Sequence, residues 1–219
     1  MKRVIVLFLF LVAGNQMFSQ EQKMVKYFTG FSFQDGIYIN FLDFKQNSPV
    51  PAYRFANKVS PSAYFIYEEL IQLPELLLIT STGDTVAIQT DAIWGYSVNN
   101  YVYIQTNGNF SRIHQIGALS HFVGKKIVVE NTYVDPTSMY WRNQTMRTQT
   151  TREEMQEYVL DFESGSIVEF DLKTIEGILK RDLELFDEFN QLNPKKKKQL
   201  KFFYLKKYNE RNPIYFPIN

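Results

Sequence analysis

Apolar and polar residues alternate most clearly between Leu76 and Val134. There "LLLITS" and "TVAIQT" flank Thr82-Gly83-Asp84, and Val86 and Ile88 alternate with polar neighbours, which predicts a β-hairpin. In the next stretch, "IWGYSVNNYVYIQTNG" (Ile93 to Gly108), a two-residue loop at Asn99-Asn100 sets Val98 opposite Tyr101, Tyr96 opposite Tyr103 and Trp94 opposite Gln105. Side chains alternate with period two, so one hairpin face is then aromatic or aliphatic, and Gly95, Ser97, Val102 and Ile104 form the other. Asn107-Gly108-Asn109 makes the next turn, into "FSRIHQIG" and "KKIVVENTYV". The pattern predicts a meander of about six strands. A further hairpin is predicted in "EYVLDFESGSIVEFD", around Glu163-Ser164-Gly165.

Upstream, "DGIYINFLDFKQNSP" predicts an extended entry and about two helical turns, with Asn40 as N-cap, Phe41 and Phe44 on one side, and Pro49 as the stop. The stretch Tyr53 to Pro74 fits strand or helix equally. After Asp171 the period lengthens: Leu172, Ile175, Ile178, Leu179, Leu183, Phe186, Phe189 and Leu192 recur every three or four residues, with slips. Asn193-Pro194 caps a second helix carrying Leu200, Phe203, Tyr204 and Tyr208, and Asn212-Pro213 ends it. The tail "PIYFPIN" is apolar enough to pack back on the body. The expected fold is α+β: an antiparallel sheet, open or curled toward a barrel, with the C-terminal helices packed against it. One domain is expected over 21–219, β-rich over 76–171 and helical over 172–211.

The first twenty residues follow a different pattern. Lys2 and Arg3 precede a ten-residue apolar run, Val4 to Ala13, and a polar segment to Gln20 containing Ser19. This is the layout of a secretory signal peptide over 1–20, with a core too short to span a bilayer. No later apolar run is long enough to be a membrane helix. There is no cysteine, hence no disulfide framework, no thiolate chemistry and no residue to receive a lipid anchor. Without Lys2 and Arg3 the chain holds 22 basic and 23 acidic side chains, so it lacks the basic excess of a nucleic-acid binder.

Catalytic chemistry finds little support. His114 and His121 have no metal-ligand spacing and read as ordinary polar histidines. Glu68-Glu69 and Glu153-Glu154 are adjacent acids of the kind that cap or solvate helices, "ESGSI" is not a nucleophile elbow, and no phosphate loop or dinucleotide fingerprint occurs. The chain leans away from enzymes and calls for no cofactor or metal. The aromatic hairpin face is expected to be sheet core rather than a ligand platform. Two basic segments are the candidate partner-binding residues. One is Arg142, Arg147 and Arg152, in the acid-free stretch Pro136 to Arg152, expected to be a long surface loop. The other is Lys195, Lys196, Lys197 and Lys198, at the unfavourable positive end of a helix dipole.

"DGIYINFLDF", "IWGYSVNNYVYI" with "RIHQIG", and "YNERNPIYFP" together resemble a group of exported proteins of Bacteroidota, and the leader ending in "FSQ" is similar to export signals there. The resemblance implies a cell-envelope address and no mechanism. The expected function is therefore non-enzymatic binding of a partner protein or an anionic envelope component, in the periplasm, at the outer membrane or outside the cell. The alternative is carriage of a small apolar ligand inside a curved sheet.

Overall fold

The computed structural model describes residues 23–59, 65–133 and 147–218, without the side chains of 131–133 and 147–149. The predicted signal peptide and Arg142 lie outside the described residues. A seven-stranded antiparallel sheet in the order β10-β9-β8-β7-β6-β5-β2 organises the chain. Its strands are β2 (Gly36–Tyr38), β5 (Gly95–Val98), β6 (Tyr101–Thr106), β7 (Asn109–Gln115), β8 (Leu119–Tyr133), β9 (Arg147–Asp161) and β10 (Ile167–Glu169). The sheet is open, not a closed barrel: β2 and β10 stand at opposite ends. Two small sheets flank it, β1 (Met24–Lys26) with β11 (Tyr215–Pro217), and β3 (Glu75–Ile79) with β4 (Thr85–Gln89). The expected six-strand meander is thus interrupted, because the β3–β4 hairpin packs over the large sheet instead of joining it.

Local chemistry explains the turns. Asn99 and Asn100 adopt φ of 52° and 67°, and Asn107-Gly108 adopt 51° and 73°, the positive values that a two-residue turn matching strand twist requires. Asn100 Oδ1 also accepts from Phe33 N at 3.1 Å and Asp35 Oδ1 from Asn99 N at 2.9 Å, tying the first turn to the N-terminal segment. Helix α1 (Phe41–Lys45) starts in a reciprocal cap: Asn40 Oδ1 accepts from Asp43 N, and Asp43 Oδ2 from Asn40 N, both at 3.1 Å. Of the undecided stretch, helix α2 (Ile66–Leu70) is short and packs inward through Tyr67 and Leu70.

Both faces of the sheet are covered, except along the outer halves of β8 and β9. On the first, Phe31, Phe33, Tyr38, Phe44, Phe122, Phe162 and Phe216 join Val102, Ile104 and Leu160 in a mostly aromatic layer. On the second, Ile37, Tyr96 and Val98 meet α2 and the β3–β4 hairpin, while Leu119 and Val159 meet the C-terminal helices. Those helices are three: α3 (Leu172–Leu179), α4 (Leu183–Asn190) and α5 (Pro194–Arg211). Asp182 accepts from Leu185 N and so caps α4, which accounts for the periodicity slip near residue 180.

Three of the four hairpin aromatics, Trp94, Tyr96 and Tyr103, pack inward as expected, though not on one face, whereas Tyr101 is exposed beneath the Arg112 guanidinium. Tyr96 stacks on Tyr103 at 4.6 Å in the second layer, whereas Trp94 stacks on Phe44 at 4.5 Å in the first. Trp94 lies just before β5, its N–H shared at 3.1 Å between the carbonyls of Tyr38 and Ile39, so simple alternation does not extend to it. Gly95 follows because any β-carbon there would overlap the Tyr103 carbonyl oxygen.

Candidate functional site

Strands β8 and β9 pair over their full lengths, Leu119 opposite Asp161 through Tyr133 opposite Arg147. The expected loop is thus partly strand: Arg147 to Arg152 belong to β9. Neighbouring β7 and β10 reach only the inner half, so the outer half is a two-stranded ribbon. At about 3.3 Å per residue its seven outer pairs extend roughly 20 Å. One ribbon face carries Ile127, Val129 and Met155, all exposed. The other is charged: Arg152 bridges Glu130 at 3.0 Å and Glu154 at 2.7 Å, and Lys126 pairs with Glu169. Arg152 is therefore matched within its own ribbon, and Arg147 is fixed in backbone register only.

The lysines divide according to helix angle. At 100° per residue, Lys197 falls on the docked side of α5 and its neighbours do not. Lys197 Nζ pairs with Glu176 at 2.6 Å, meets Asn190 Oδ1 at 3.1 Å, and lies 5.2 Å from the Phe189 ring centre. Lys195, Lys196 and Lys198 are exposed and have no acidic partner among the described residues. The same outer side carries Lys206 and Phe203 (55% exposed), while Phe202 stands at its border, its ring packed on His121 and Phe170. Lys206 has only Glu210, at 3.9 Å and well exposed. The solvent-facing part of α5 thus sets one exposed phenylalanine, Phe203, among four weakly matched cations.

What holds α5 in this orientation lies beneath it. Asn209 clamps the Leu119 backbone, accepting from its N–H at 2.8 Å and donating to its carbonyl at 2.9 Å. Lys201 pairs with Glu157 and donates to Phe170 O at 3.2 Å, its Nζ 4.7 Å from the Phe170 ring centre. His121 lies edge-on to Phe170 and Phe202, and its buried Nε2 has no partner. Burial lowers the His121 pKa; Glu157 opposes this, while His114 and Lys201 add to it.

A cleft of about 540 Å³ lies where sheet, helices and C-terminal strand meet, lined by Lys45, Asp161, Arg181, Tyr208, Arg211 and others. Its arginines are already used. Arg181 meets buried Asp161 at 2.7 Å, and Arg211 meets Asp182 at 2.7 Å and Glu184 at 2.8 Å. Lys45 rests over the rings of Phe41 and Phe162. The cleft is an ionic joint between layers, and sequence reasoning passed over it. Its signal was Asp161 itself, one acid inside the apolar run "YVLDF". Among the described residues no group of His, Asp or Glu could hold a metal ion, and no helix is long and apolar enough to cross a membrane.

Comparison with protein-family models, curated proteins and solved structures gives no significant match.

Proposed function

We propose that this chain is a non-enzymatic, exported binding protein of the cell envelope, and that it docks on an anionic membrane surface through the outer side of α5. One observation carries the reading: Phe203 stands exposed on a helix that also presents Lys195, Lys196, Lys198 and Lys206 to solvent, with Glu210 the only acid in the helix. An apolar ring that enters the headgroup boundary, framed by cations that meet lipid phosphates, forms an interfacial surface. Lys197 takes no part, because Glu176 holds it inward.

Each lysine near an anionic surface contributes about 1 kcal/mol at low salt, so three together are worth roughly 100-fold in binding. The test is co-sedimentation with vesicles containing about one-third phosphatidylglycerol, against neutral vesicles. Binding should require the anionic lipid, weaken with salt, and drop by roughly 100-fold in Lys195→Gln/Lys196→Gln/Lys198→Gln. Phe203→Ser should weaken it without changing the salt dependence. Binding that is absent, or indifferent to the triple change, sinks the proposal. Carriage of an apolar ligand is the less supported reading, since Trp94, Tyr96 and Tyr103 are packed on protein rings.

A further inference from the structure

His121 stands on the face of the sheet that α5 covers, 9% exposed, with no hydrogen-bond partner for its Nε2 among the described residues. A buried polar atom left unpaired is costly, and in a folded chain it calls for a reason. Two rings enclose the imidazole edge-on, Phe170 at 5.6 Å and Phe202 of α5 at 4.9 Å. The Lys201 ammonium lies over the same two rings, at 4.7 Å and 5.2 Å. The charged and titratable groups that act on His121 are Glu157 on β9, Lys201 on α5 and His114 on β7. Glu157 is the one acid among them, and Lys201 holds it. Two bases thus share one carboxylate and one pair of rings.

A proton on His121 upsets this arrangement. The imidazolium would place a second cation behind the Phe202 ring, with no acceptor for its Nε2–H. Glu157 can serve it only by leaving Lys201, and water can reach it only where Phe202 moves aside. Phe202 is free to do so without unseating the helix: it is 40% exposed at the border of α5, whereas Tyr204, Leu205 and Tyr208 hold the packed side. We propose that His121 is an acid-sensing switch beneath α5, which on protonation draws Glu157 from Lys201 and turns Phe202 and Lys201 out to solvent. On the membrane-docking reading of α5, on which this role rests, acid then adds a second ring and a further cation to the docking surface.

Burial lowers the His121 pKa in the closed arrangement, so the opened one binds the proton more tightly. From pH 7.5 to pH 5 the opened fraction should rise by up to about 30-fold, the limit set by an ordinary histidine pKa of about 6.5 in the open form. The test places 4-fluorophenylalanine at Phe202 of the untagged full chain, read by fluorine NMR without lipid, and repeats the phosphatidylglycerol co-sedimentation at both pH values. The fluorine resonance should shift or split along the His121 titration, which His114→Gln isolates as that of the only remaining histidine. Vesicle binding should tighten at least about 10-fold at pH 5, and His121→Leu should abolish both changes. Should the leucine variant not fold, His121→Asn, likewise uncharged at pH 5, takes its place. A resonance indifferent to the His121 titration overturns the switch, as does vesicle binding that gains nothing at pH 5 or gains as much in His121→Leu. A resonance that follows His121 in a chain that binds vesicles at neither pH upholds the switch and sinks the docking reading alone.

Discussion

Replacing Asp161 with Asn tests whether the ionic joint holds the helices to the sheet. The Asp161 side chain is 9% exposed, meets Arg181 at 2.7 Å and accepts from Glu163 N at 3.0 Å. Arg181 in turn interacts with Tyr208 on α5. Removing one partner of a fully buried ion pair costs about 3–5 kcal/mol, but Arg181 is 45% exposed and can rehydrate, and asparagine retains an acceptor for Glu163 N. The expected cost is therefore about 2 kcal/mol, or roughly 4–8 °C in melting temperature for a chain of this size. Acid supplies the check. Burial pushes the Asp161 carboxyl up, but bonds from Arg181, the Glu163 N–H and Ser164 outweigh it, and the net shift is downward. The unfolded chain then binds the proton more tightly, so this contribution is complete above a pH of about 4 and is lost as pH falls through the lower folded value. Urea unfolding of wild type and Asp161→Asn should give the full deficit at neutral pH and a shrinking one as pH falls below 4. In Arg181→Gln/Asp161→Asn the cost should hardly exceed that of the single change. A deficit under about 0.5 kcal/mol at neutral pH, or one equal at both pH values, would refute the reasoning.

The other predictions concern packing and titration. The depressed His121 pKa means that the folded state resists protonation, so stability should decline as pH falls below about 6.5 toward the folded value. His121→Leu should flatten that slope, and an unchanged slope would remove His121 as its cause. Gly95→Ala should cost about 2–3 kcal/mol, since the Tyr103 carbonyl it would overlap belongs to the ladder and cannot yield. Gly177→Ala, in open space within α3, should stabilise by about 0.5–1 kcal/mol in the same thermal assay. Phe44→Ala should cost about 3–5 kcal/mol and, with Trp141→Phe leaving Trp94 as the only indole, shift its emission to the red. An emission maximum that stays in place would contradict the Phe44–Trp94 stack.

The sequence revealed those parts of the fold whose cause is local. Asn99-Asn100 and Asn107-Gly108 tolerate positive φ, and Asn40, Asp171 and Asn193 carry side chains that satisfy helix N-termini, whatever packs above them. Features whose cause is tertiary stayed hidden. The described side chains of the outer ribbon are mostly exposed on both faces, so they lack the strict alternation that burial on one side produces. "RTQTTR" (Arg147 to Arg152) therefore reads as loop although it is strand. The inward turn of Lys197 could be read only once the docked side of α5 was known. Trp94 escaped because one residue of offset before β5 moves a side chain to the other layer.

The pairing of β1 with β11 joins Met24–Lys26 to Tyr215–Pro217, nearly the widest sequence separation this chain can span. Phe216, fully buried, meets the rings of Phe31, Phe33, Phe44 and Phe162. A chain emerging N-terminus first thus makes most of its aromatic layer long before the ring that closes it. The loop-closure entropy of that last step falls on a nearly finished body, where the ends are already held close. Until then the nascent chain carries an apolar face in need of shelter, and losing only the last few residues should turn a stable fold into an aggregating one.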